Sequence, residues 1–357
     1  MTDYSAFPTL TAINAADPTR TLTLRSKFVR EWNARMARLT TAVMTSVVAN
    51  DALGLEQLNA QLRVQADDGP KIIPGKPGEW TYRWSQDRIK AFLQWLDEAV
   101  NKSLLEVVVR PGTNRPGGEP WSDYYIRSAY QSGLQRTMAE VKRRSNTLAQ
   151  QLGLAESAFM PAFTSTGKAV SALMMQPFHA DRLALMYTRT FEELKGITTD
   201  MSKQMAQILT KGMAQGLNPR EMGKALAEKV PGIAESGALR KAQVRGQLIA
   251  RTEVIHTHAQ ATLNEFYALE EASDTVFLVR WLATKDRRTR PAHRELVDPH
   301  RGYDGLVMTK EEAYGRIGEP NCRCCLVPYI PEVEGMPEKV TDAAREICEQ
   351  VLKDKGE

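Results

Sequence analysis

From Leu183 to Ile208 the apolar residues Leu183, Tyr187, Phe191, Leu194, Ile197, Met201, Met205 and Ile208 recur at alternating steps of three and four. At 3.6 residues per turn this is about seven turns with one narrow packing seam, which predicts a single long helix. Its methionines read as core contacts rather than a cofactor surface. The same period recurs upstream: Phe28, Trp32, Met36, Leu39 and Val43 predict a helix from Leu22 to about Asn50, and Ile89, Phe92, Leu96 and Val100 a second from Ser85 to Val108. A third runs from about Ser122 to Gln150. Proline and glycine break the pattern at 69–78 and 110–118, while 152–178 has no clear period and reads as a connection with a short helix. At 216–221 glycine ends one helix, and Asn218, Pro219 and Glu221 are placed as N-cap, N1 and N3 of a short one that reaches Val230.

Composition narrows the class without naming a partner. The 357 residues are 42% hydrophobic and 25% charged, an ordinary globular balance that excludes disorder for most of the chain. The 47 basic and 43 acidic residues leave +4, too mild to identify a nucleic-acid binder. No run of 18 apolar residues is present, so no membrane span is expected, and the start lacks the basic and apolar regions of a signal peptide. Of the 4 cysteines, Cys322, Cys324 and Cys325 stand together and Cys348 is alone. No cysteine precedes Cys322, so a disulfide framework is excluded and reduced thiols, candidate metal ligands, remain.

The next helix is expected from about Ser236 to Leu269, with Leu248, Ile255, Ala259, Thr262, Phe266 and Leu269 on the face of Val244. Arg251 shares that face and needs a carboxylate, carbonyls or a ligand, unless it snorkels at the edge. Glu253 is placed on the opposite side. His256 and His258 are about 200° apart on a helix and cannot chelate one ion from it. The β-branched and aromatic stretch 274–284 predicts a strand, Gly302 to Gly318 reads as turn-rich, and the cysteine run leads into a short closing strand. A linker and a charged helix, Glu338 to Lys353, follow. The expected fold is mainly α, with long helices in the N-terminal two thirds and a small C-terminal α+β module. The expected divisions are a flexible leader 1–20, a helical domain 21–178, a long and a short helix over 179–235, the module 236–330, and a tail 331–357.

Three motifs in order, Leu248-Ile249-Ala250-Arg251-Thr252-Glu253, then Trp281-x-x-Thr284-x-Asp286-x-Arg288-Thr289-Arg290-x-x-His293, then Asn321-Cys322-Arg323-Cys324, resemble the phage head morphogenesis family, the minor head proteins like protein F of phage Mu and gene product 7 of SPP1. The resemblance covers roughly 180–330. It implies a minor virion protein of the capsid interior or portal vertex, made in the host cytoplasm, with the portal protein, the major capsid or scaffold protein and double-stranded DNA as partners in packaging or ejection. No enzymatic activity is implied.

The residues themselves leave several readings open. Cys322 and Cys324 flank one residue and can face one ion, with His293 as a third ligand and Cys325 or His300 as a fourth, which makes zinc the candidate metal. Many relatives carry Cys-x-x-Cys where this chain has Arg290-x-x-His293, and a histidine where it has Glu319. The metal-free reading is a polar network in which Arg251, Asp286, Arg288 and His293 pin loop to helix beside packed cysteines. A metal-dependent nuclease using Asp286, His293, Cys322 and Cys324 is the enzymatic alternative, weakened by the shortage of carboxylates, since only Asp286 and Glu295 are at hand. Lys285, Arg287, Arg288, Arg290, Arg294, Lys142, Arg143 and Arg144 are candidate phosphate contacts; the opposing reading has them solvated and offset by acids such as Glu265 and Glu270.

Overall fold

The structure, a computed structural model, describes residues 18–50, 52, 86–109, 117–151, 167–214, 217, 219–227, 246–273, 275–284, 293, 305–317, 319–320 and 322–354. The chain separates into two compact units, each made of separated stretches. One takes the described residues of 1–27, 122–188 and 248–357, the other those of 28–121 and 189–247. Among the described residues the architecture is long helices with a two-stranded and a three-stranded antiparallel sheet.

Helix α1 (Leu22–Met44), which lies in the second unit from Phe28 on, continues into a π-helical turn, Thr45–Ala49, and buries Phe28, Trp32, Met36, Leu39 and Val43 as its spacing predicts. Helix α2 (Gln86–Leu104) buries Phe92, Leu96 and Val100 but stops short of Val108. The β-branched Val107 and Val108 form β1 (Val107–Val108), which pairs antiparallel with β2 (Glu119–Pro120). Gly118 makes this return possible: its φ is +89°, and a Cβ there would lie 2.7 Å from the Val108 carbonyl oxygen. Beside β2, Trp121 packs on Phe28 with ring centroids 4.8 Å apart, and the buried Arg35 guanidinium stacks 4.7 Å from the Trp121 ring while pairing with Glu31 and Glu106.

Helix α3 (Asp123–Arg144) belongs to the first unit and is followed by α4 (Asn146–Gln151) and α5 (Gly167–Met174). The long helix, α6 (Pro177–Ala214), has 38 residues and starts six residues before the seam does. Leu194, Ile197, Met201 and Met205 are buried as expected, but Leu209 rather than Ile208 is buried in the next turn, because 3.6 residues per turn drifts away from a strict seam. Helix α7 (Pro219–Ala227) buries Met222 and Leu226.

A π-helical turn, Ala250–Val254, leads into α8 (Ile255–Ser273), which is buried on nearly every side through Phe266 and packs along α3. Strand β3 (Leu278–Leu282) is central to an antiparallel sheet, between β4 (Val307–Met308) and β5 (Cys325–Tyr329), with Leu278 opposite Tyr329 and Leu282 opposite Cys325. Strand β4 and the short helix α9 (Lys310–Tyr314) lie in the stretch expected to be turn-rich. Thr309 and Glu312 cap α9 reciprocally, each side chain bonding the other's backbone N–H. The short α10 (Pro331–Glu334) follows β5. One sheet face packs Val279, Trp281 and Leu326 against Ala259, Leu263 and Phe266 of α8; the other meets Ala344 and Cys348 of α11 (Asp342–Asp354).

Candidate functional site

The three-layer module brings a thiol–imidazole group together at one end of the sheet. Trp281, on the α8 side of β3, meets the His293 ring edge-on at 5.4 Å. Past the end of β3, Thr284 donates to the Arg323 carbonyl at 2.6 Å and so pins the Cys322-Arg323-Cys324 turn to that strand. His293 Nδ1 lies 3.4 Å from Cys324 Sγ and 3.7 Å from Cys322 Sγ, and the Cys324 backbone N–H donates to Cys322 Sγ at 3.5 Å. On the far side of the ring, Nε2 faces Glu319 Oε2 at 3.6 Å. The hydrogen bond with Cys324 pulls the Cys322 thiol well below its ordinary range, against burial and with help from His293. Cys324 moves the other way, pushed up by the same hydrogen bond and by burial. The pair therefore favours one thiolate beside one thiol.

Cys325 departs from the expected ligand set. It opens β5 opposite Leu282, so strand alternation turns it away from Cys324, and it is not part of the group formed by His293, Cys322 and Cys324. Thiols and an imidazole are soft donors, the set for zinc rather than for the carboxylate-rich sites of metal nucleases. Asp286, Glu295 and His300 lie outside the described residues, as do Arg288 and the candidate phosphate contacts Lys285, Arg287, Arg290 and Arg294. Arg251 is half-buried on the π-helical turn before α8.

The basic end of α3 is less uniform than its sequence. Arg144 is 7% exposed and held between Glu140, at 2.6 Å, and Glu334, at 3.1 Å, which leaves it little to offer a phosphate. Arg143 is 71% exposed and pairs with Glu140 at 2.8 Å; with Lys142, Ala139 and Asn146 it lines a shallow surface depression.

A second polar group was not anticipated. Tyr130 Oη and His179 Nδ1 are 3.1 Å apart, Asn264 Nδ2 donates to Tyr130 Oη at 3.2 Å, and His179 Nε2 faces Glu265 Oε2 at 3.3 Å without an aligned hydrogen bond. All four residues are buried, and burial with the Glu265 charge pushes the Tyr130 hydroxyl up to about 12. Glu265 is thus a core residue and not an offset for surface cations. The four residues of the cluster come from three helices far apart in the chain, and no local spacing signals them. His256 and His258 are both buried and share no metal group among the described residues; burial and the nearby Arg136 charge pull His258 down to about 3, so it stays neutral.

Residues 203–327 match the family model described as phage Mu protein F like protein. No curated protein and no solved structure matches the chain. The matched stretch contains α8, β3, β4, the beginning of β5 and the whole thiol–imidazole group. Trp281, Thr284, His293, Cys322 and Cys324, dispersed through two of the three motifs, meet at one place in the fold, and all five lie within the stretch 203–327 that is similar to phage Mu protein F like protein.

Proposed function

We propose that this is a minor head protein of a tailed bacteriophage that associates with the portal inside the assembling prohead, beside the major capsid or scaffold protein, and contacts double-stranded DNA without reading its sequence during packaging or ejection. The family match over residues 203–327 carries the reading. Two surface features supply contacts for it. Around the start of α6, Met175 is 74% exposed and Leu185 55% exposed, with Phe178 between them and the Arg182 guanidinium 5.5 Å from the Phe178 ring. Solvent-facing apolar side chains of this size suit a protein partner, and the portal is that partner in this reading. Lys142 and Arg143 at the end of α3 suit phosphates, as do the cations between Lys285 and Arg294; such contacts are independent of sequence and weaken with salt.

The test uses the full chain expressed with the portal and capsid proteins of the same phage. The expected result is that the protein co-purifies with portal-containing proheads, and that Met175→Glu with Leu185→Glu lowers its content per particle at least tenfold while its circular dichroism is unchanged. Equal incorporation of the double variant removes this surface from the portal contact, and heads of normal composition and infectivity without the protein overturn the function. No helix among the described residues is long and apolar enough to cross a membrane.

A further inference from the structure

We propose that His293 Nδ1, Cys322 Sγ and Cys324 Sγ bind one zinc ion, and that Glu319 is the positioning residue that sets the imidazole from its other nitrogen. Among the described residues this is the one group of histidine, cysteine and carboxylate side chains whose offered ligand atoms all lie within 4.8 Å of one another. Its dimensions match a coordination polyhedron. Zinc bonds of about 2.3 Å to sulfur and 2.0 Å to nitrogen, at tetrahedral angles, put sulfur and nitrogen about 3.5 Å apart. The two distances from His293 Nδ1 are 3.4 and 3.7 Å. Simple packing of thiols against a ring does not require both sulfurs to converge on the same nitrogen.

The surroundings fit the same ion. All four cysteines are reduced and buried, so the two in the group are neither bridged nor exposed to oxidant. Trp281 walls one side, giving the apolar shell that strengthens thiolate coordination. Glu319 faces Nε2, and a carboxylate there holds the proton on that nitrogen and leaves the Nδ1 lone pair for the metal, the carboxylate–histidine–zinc arrangement. Among the described residues these three side chains are the donors at hand. The ion then joins His293 to a turn 29 residues further along the chain, adding a tether that the Thr284 hydrogen bond alone does not supply.

Cobalt(II) titration of the purified full chain tests the proposal, with elemental analysis for zinc on the protein as isolated. The expected result is one metal per chain and a thiolate-to-cobalt absorption band that Cys325→Ser retains and that Cys322→Ser and Cys324→Ser lose. Glu319 is half-exposed, so Glu319→Gln will fold; it is expected to weaken cobalt binding about 10–100-fold at unchanged circular dichroism. Folded wild-type protein without the band, or a band that survives loss of both Cys322 and Cys324, overturns the site. Should the cysteine variants fail to fold, wild-type protein that neither loses the band to a chelator nor regains it with cobalt overturns the site equally well. Undiminished affinity in Glu319→Gln overturns the role given to Glu319. Each of these outcomes leaves the head-protein reading standing.

Discussion

A side chain at position 133 has nowhere to go. A Cβ built on Gly133 of α3 lies 2.4 Å from the His258 carbonyl oxygen and 2.7 Å from the Ala261 Cβ of α8, so the two helix backbones touch at this point. Replacing a helical glycine by alanine ordinarily gains about 1 kcal/mol of helix propensity. Here the overlap involves backbone, and overpacking costs about 1–3 kcal/mol. Gly133→Ala is therefore expected to lower stability in chemical denaturation; an increase would show that the helices separate without strain. The neighbouring Tyr130, His179, Asn264 and Glu265 show where reading residues one by one stops. A histidine or a glutamate has the same letter in the core as on the surface, and Glu265, whose partner His179 lies on a different helix far back in the chain, was indistinguishable from a solvated acid. The thiol–imidazole group was legible by contrast, because two of its three members are two residues apart and chemistry limits what adjacent thiols do.

Single elements were legible where packing follows one fixed period. The α1 stripe is buried throughout because every turn there is α-helical before Thr45. The π-helical turn Ala250–Val254 breaks that condition. An i to i+5 turn advances less than 100° per residue, so Glu253, placed away from the apolar face, is instead 3% exposed. Strand β4 was missed for another reason: two residues give no alternation, and only the pairing with β3 defines it. At the end of α3 an ion-pair cluster sets a pH dependence. Burial raises the Glu140 carboxyl, but Arg144 and Arg143 outweigh it and hold the carboxyl below its ordinary value. A lowered folded-state value means stability that is present above the ordinary carboxylate range and lost as pH falls through the folded one. The melting temperature of Glu140→Gln is thus expected to lie below that of the wild type at neutral pH and to converge with it in acid. A difference that persists unchanged in acid would assign the effect to packing.

At the level of the whole chain, the first unit is assembled from the described parts of three stretches, with α3 from one and α8 and the sheet from another. No composition shift or linker announces this, since pairing between distant helices leaves no mark in either one. It has a consequence for fragments. A chain ending at residue 178 keeps α3 but lacks α8, the sheet and most of α6, and it is expected to show no cooperative melting and rapid proteolysis between 123 and 144; protection equal to that of the full chain would overturn the pairing. The closeness of Gly133 to α8 also orders events in time. A ribosome adds about 5–20 residues per second, so α8 emerges on the order of ten seconds after α3. Through that interval Tyr130 and Leu134 lack their neighbour Ala261 on α8, and the yield of folded protein is expected to depend on what shelters them until the second helix arrives.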